Sequence, residues 1–159
     1  MKAKPVKTLS ASACLYDVSV WVALAFSSHP HQAEARREFD TADSAHPAVF
    51  CRATQQAFLR ILTTPKIQKI YGSGVITNDE AWEKWELLIA LPQVVWLDEP
   101  HGVETLWKKY ARLSSASPKV WMDAYLAAFA IAGGLRMTTL DRDFKKFEPH
   151  GLDLLLLTP

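Results

Sequence analysis

Ala13-Cys14-Leu15-Tyr16-Asp17-Val18-Ser19-Val20-Trp21-Val22-Ala23-Leu24 is the stretch on which the reading of the fold turns. Its first part is a short apolar run of strand length, and its second continues at helical length. An aspartate stands at the join. An ionised carboxylate between two apolar segments is costly unless it is hydrogen-bonded, paired or bound to a cation. On this residue alone two readings are open: Asp17 caps the helix that follows, or it is a functional carboxylate at the end of a buried strand.

The same alternation recurs along the chain. Strands are expected over residues 11–16, 48–50, 94–97, 136–139 and 154–157. Helices are expected over 18–26, 32–39, 52–62, 78–90, 103–113 and 118–132. Pro65 should stop the third helix and Asn78 should cap the fourth. Ser117-Pro118 should open the last helix, and Gly133-Gly134 should close it. Strands separated by helices imply parallel pairing, hence a three-layer α/β/α domain around a central parallel sheet of about five strands. Residues 1–10 read as a short basic tail and 11–159 as a single domain, with no repeat or linker to divide it.

Bulk properties exclude several classes. The chain has 159 residues, 49% of them hydrophobic and 22% charged, an ordinary globular balance. It has no apolar run long enough to span a bilayer, and its basic start lacks the apolar stretch of a secretory signal. The formal net charge of +1 gives no general affinity for nucleic acid, so any such partner must meet a local patch. Cys14 and Cys51 have neither metal-knuckle nor redox-pair spacing and read as reduced core thiols of a cytoplasmic protein.

Two further carboxylate groups match the anomaly at Asp17. Asp123 shares a helix face with Val120, Ala124, Ala127 and Ile131, a face that should turn inward. A helix opening at Ser117-Pro118 puts Asp123 beyond the reach of the helix dipole, which fades after the first turn. Asp141 and Asp143 directly follow the expected strand 136–139, with Arg142 between them as a candidate neutralising charge. Parallel sheets bind ligands beyond the carboxyl ends of their strands, where all four aspartates are expected. Like charges gathered there raise one another's pKa unless a cation intervenes. Oxygen ligands without His or Cys suit Mg²⁺, with Mn²⁺ as the other candidate, and carboxylate-held Mg²⁺ acts above all on phosphate esters. The residues by themselves thus point to a metal-dependent phosphodiesterase or phosphatase.

At these residues the chain resembles the PIN-domain family, and within it the VapC toxins of bacterial toxin–antitoxin pairs. The resemblance is carried by Leu15-Tyr16-Asp17-Val18-Ser19, Arg52-Ala53-Thr54-Gln55-Gln56-Ala57-Phe58-Leu59-Arg60, Trp121-Met122-Asp123-Ala124-Tyr125-Leu126-Ala127-Ala128 and Thr139-Leu140-Asp141-Arg142-Asp143-Phe144, in that order. It covers nearly the whole chain from residue 11. It implies a Mg²⁺-dependent endoribonuclease in which Asp17, Asp123 and Asp141 bind the metal and Asp143 completes the catalytic acidic pocket. Ser19 and Thr139 would occupy supporting hydroxyl positions. The partners implied are RNA, a second copy of the chain and a VapB-type antitoxin, with Arg60 lining the groove that meets RNA or antitoxin. One departure stands out: Gln55 falls where the family usually has a glutamate, and an amide cannot act as a base. Glu34, Glu38 and Asp40 are candidates to compensate. The rival reading is therefore a PIN fold that binds RNA or antitoxin but cuts poorly.

Other residues carry less. Arg60 would equally satisfy the end of its helix. Lys108, Lys109, Arg112 and Lys119 contact phosphate or form a solvated face. His29 and His31 belong before a helix rather than on a metal, and the six Trp residues suit core or interface packing better than base stacking.

Overall fold

In the computed structural model, which describes residues 13–158 except 73, five strands form one parallel sheet. They are β1 (Cys14–Tyr16), β2 (Ala48–Phe50), β3 (Val94–Trp96), β4 (Arg136–Thr139) and β5 (Asp153–Leu156). The tail 1–10, residues 11 and 12 of the expected first strand, and Ser73 lie outside the described residues.

The strand order is β3-β2-β1-β4-β5, all pairs parallel. From β1 the chain steps outward to β2 and β3, then returns to the other side of β1 for β4 and β5. The direction of winding reverses between β1 and β4. Connections leave the sheet in opposite senses there, opening a crevice at the carboxyl ends of those two strands.

Alternate side chains along each strand point to opposite faces, and each face has its own helices. Leu15, Val49 and Met137 join one core with α6 (Val103–Ala111), α7 (Val120–Gly133) and the 3₁₀ helix Arg142–His150. Tyr16, Ala48, Phe50 and Val94 join the other with α1 (Val18–Ala25), α2 (Gln32–Phe39), α3 (Arg52–Leu62) and α5 (Asn78–Ile89). The result is the three-layer α/β/α arrangement. On the α1 side Trp21 stacks on Phe50 with ring centroids 3.8 Å apart, and Phe58 meets Phe50 edge-on. Each of these fully buried rings contributes about 2–3 kcal/mol of transfer free energy.

Several boundaries differ from those the pattern predicts. Pro65 does not simply end a helix; it occupies the first position of a further one, α4 (Pro65–Tyr71), where its missing N–H leaves no bond unmade. The cap of α5 is Thr77, not Asn78. Its hydroxyl accepts from Glu80 N while the Glu80 carboxylate accepts from Thr77 N, a reciprocal box that Asn78 cannot form. The expected last long helix begins at Val120, two residues after Pro118, and ends as expected on Gly134 in the left-handed region at φ 62°. Residues 142–150, to which no element was assigned, form the 3₁₀ helix, with Phe144 and Phe147 buried at its three-residue repeat.

Candidate metal centre

Asp17 follows β1 directly and is placed by β4: its N–H donates to Thr138 O at 2.9 Å. Both readings of this residue hold at once. One carboxylate oxygen, Oδ1, accepts from Val18 N at 2.7 Å and caps α1. The other, Oδ2, accepts from the hydroxyls of Ser19 at 2.7 Å and Thr139 at 2.9 Å. Those hydroxyls in turn accept from Leu140 N and Asp141 N. A hydrogen-bonded bridge thus crosses from β1 to the loop after β4, at the point where the winding reverses. Asp17 is 6% exposed. Burial pushes its carboxyl above the usual carboxylate range, the three hydrogen bonds oppose that rise, and the Asp141 charge adds to it.

Asp141 caps the 3₁₀ helix through Oδ1, which accepts from Asp143 N at 2.9 Å. Asp123 arrives from α7. Because that helix starts at Val120, Asp123 lies in its first turn, where the positive end of the dipole favours a carboxylate. The dipole contribution set aside on the sequence therefore acts. Burial raises the Asp123 carboxyl, the Lys146 ammonium opposes, and the charges of Asp141 and Asp17 add to the rise. One oxygen each from Asp123, Asp141 and Asp143 lie within 4.8 Å of one another. Asp17 is not in that tight trio; it stands behind it, close enough for its charge to act on Asp123 and Asp141.

The donor set fits a hard dication. Every ligand atom available is a carboxylate oxygen, and across an octahedron of 2.1 Å bonds opposite oxygens are about 4.2 Å apart. The trio, with ligand oxygens within 4.8 Å of one another, is close to that spacing. Four carboxylates face one nearby ammonium, so a dication relieves the repulsion without inverting the charge.

The other candidates fall elsewhere. Gln55 is buried, and its side-chain oxygen accepts from Arg52 Nη1, whose guanidinium lies over the Trp96 ring at 4.6 Å. Arg60 is exposed at the end of α3 and lines a cavity of about 240 Å³ with Leu59, Thr63, Asn78, Ala81 and Trp82. None of Glu34, Glu38 and Asp40 joins the aspartates. Asp40 pairs with Arg36 at 2.9 Å, Glu38 interacts with Arg136 at the opposite edge of the sheet, and Glu34 faces His31. Among the described residues Arg142 makes no ion pair with its neighbouring aspartates; the cation at the centre is Lys146, 3.5 Å from Asp123 Oδ2. Lys146 and Arg52 escaped the sequence reading. The available signal was i,i+3 spacing, Asp143 to Lys146 and Arg52 to Gln55, but it requires knowing the helix type first.

The fold and the centre define a class: a parallel α/β domain with a carboxylate cluster at its reversal point, suited to a divalent cation. The PIN-domain family model matches residues 14–148, and the chain belongs to that family. It is 42% identical, over 144 residues, to Ribonuclease VapC41 of Mycobacterium tuberculosis, in strains CDC 1551 and H37Rv alike, covering 90% of this chain and 97% of that protein. Among solved structures it shares its fold with Mycobacterium tuberculosis VapC20, described as a sarcin-ricin loop cleaving toxin, at TM-score 0.61 and 16% identity, over 92% of this chain and 100% of the other. VapBC2 from Rickettsia felis, solved with a promoter DNA fragment, aligns at TM-score 0.59 and 10% identity, over 92% and 99%.

Proposed function

We propose that this protein is a metal-dependent endoribonuclease of the VapC toxin type, using Mg²⁺ or Mn²⁺ to hydrolyse RNA phosphodiester bonds. The observation that carries the reading is the gathering of Asp123, Asp141 and Asp143 within 4.8 Å, beside buried Asp17, at the reversal point of the sheet. The 42% identity to a ribonuclease supports the choice of RNA.

Asp17, Asp123 and Asp141 are the ligands in this reading. Together they would hold a dication, which when bound would supply charge neutralisation at the phosphodiester and activation of water. Ser19 and Thr139 fix the Asp17 carboxylate through Oδ2 and Val18 N fixes it through Oδ1, so the carboxylate is held in one orientation and a cation would use the remaining lone pairs. Asp143, exposed at the rim, orients the attacking water by accepting one of its hydrogen bonds. With the oxygen of Gln55 engaged by Arg52, that residue supports the wall rather than binding a second ion. Arg60 and the cavity beside it are assigned to RNA or to a VapB-type antitoxin. A second copy of the chain is assigned to the α6–α7 face, where Leu113, Trp121 and Met122 are exposed. A cytoplasmic setting belongs to the same reading, and no helix among the described residues is long and apolar enough to cross a membrane.

Purified wild type, Asp17→Asn and Gln55→Glu incubated with total RNA, with and without Mg²⁺ and Mn²⁺, test the reading. Discrete metal-dependent fragments from wild type, lost in Asp17→Asn, are expected. Cleavage by Gln55→Glu alone would instead establish a binding protein whose chemistry was lost at that position.

A further inference from the structure

Asp143 and Lys146 are three residues apart on the 3₁₀ helix, whose repeat of three stacks them on one side. That side faces α7, and the Lys146 ammonium reaches Asp123 Oδ2 at 3.5 Å. Phe144 and Phe147 are buried on the neighbouring side and anchor the helix beneath it. The ammonium also lies 5.1 Å from the Phe147 ring centre. Lys146 is thus a cation carried by the 3₁₀ helix at the rim of an acidic cluster. Resting on the metal-centre reading above, we propose that Lys146 is a tethered counter-ion that competes with the divalent cation for Asp123 and sets the concentration at which the centre fills.

The physical basis is simple competition. The Lys146 ammonium already offsets part of the Asp123 charge at Oδ2, and a dication arriving there meets a like charge, so the two compete for the same carboxylate. With the ion bound, the Lys146 charge remains a few ångströms away and repels it. The side chains of Lys146 and Asp123 are 45% and 19% exposed, so an ion pair here adds little to folding stability. A dication and an ammonium about 6 Å apart in a water-like dielectric still differ by roughly tenfold in affinity from the uncharged case. The consequence of such a residue is a shifted midpoint: half-filling the centre takes roughly tenfold more divalent cation than the carboxylates alone would require.

The test is Mn²⁺ titration by isothermal calorimetry on the EDTA-stripped full chain. It compares wild type with Lys146→Met, Lys146→Arg, Lys145→Met and Asp123→Asn, each first checked for its fold by circular dichroism. Lys146→Met should tighten Mn²⁺ binding by about threefold to tenfold. Lys146→Arg, which keeps the charge, should stay near wild type, and so should Lys145→Met. The salt dependence supplies a second readout: the advantage of Lys146→Met should shrink as monovalent salt rises. Unchanged or weaker binding in Lys146→Met overturns the inference, as does equal tightening in Lys145→Met, which would reflect net charge alone. Binding by wild type that Asp123→Asn abolishes, with no gain in Lys146→Met, removes this inference and leaves the metal centre standing. Failure of both wild type and Lys146→Met to take up Mn²⁺ removes both.

Discussion

Asp17 joins two elements with separate oxygens, one on the start of α1 and one on the hydroxyls of Ser19 and Thr139. Burial and the Asp141 charge disfavour its ionised form, a cost that a cation bound beside it would offset. Asp17→Asn keeps the cap, and its amide can donate to both hydroxyls. In EDTA the variant should melt higher than wild type, by about 1 kcal/mol or ~3 °C for a chain of this length. Mn²⁺ should raise the wild-type melting point while leaving the variant almost unmoved. Thr139→Val tests the bridge itself. It removes a donor from Asp17 and an acceptor from Asp141 N inside a buried site, and should cost about 1–3 kcal/mol in urea unfolding. By loosening a ligand's support it should also weaken Mn²⁺ binding about tenfold.

Elements place these residues by where they begin and end. The start of α7 at Val120 brings Asp123 within the first turn and so within the dipole's reach. Its end is set by Gly134 at φ 62°, from which the chain turns so that Leu135 N reaches Ala130 O at 2.8 Å and β4 follows at once. A Cβ at Gly134 meets nothing within 4 Å, so the penalty for Gly134→Ala is purely conformational. It should amount to about 1 kcal/mol, read as a lower urea midpoint with an unchanged slope. A much larger loss would mean that the turn does more than end the helix. The 3₁₀ helix matters similarly: a tighter repeat than the α-helix sets Asp143 and Lys146 on one side and buries Phe144 and Phe147 on another.

The whole molecule concentrates chemistry at one place because its sheet reverses direction there. Beside the start of α7, the surface between α6 and α7 exposes Trp121 and Leu113 around a cavity of about 750 Å³, with Lys108 and Arg112 on its border. If a second copy covers this face, Trp121→Arg should shift the protein from dimer to monomer in light scattering and weaken association by at least tenfold, as loss of a central aromatic usually does. An unaltered dimer would move the interface elsewhere. The indole is more than half exposed, so the variant should keep its fold.

Much of this was legible along the chain. Strands and helices announce themselves through local periodicity, and Asp17, Asp123, Asp141 and Asp143 stood out because carboxylates are costly beside apolar runs. These signals are local: each requires only a dozen neighbouring residues. The remainder depended on register and packing between distant segments. Only the sheet order sets β4 against β1, so that Thr139 can bridge Asp17 and Asp141; only the helix type turns Lys146 toward Asp123. Arg52 holding Gln55, and the separation of Glu38 from the acidic group, were settled by the same packing. Periodicity tells which side of an element is buried, whereas which partner it meets is decided by the closing of the three layers.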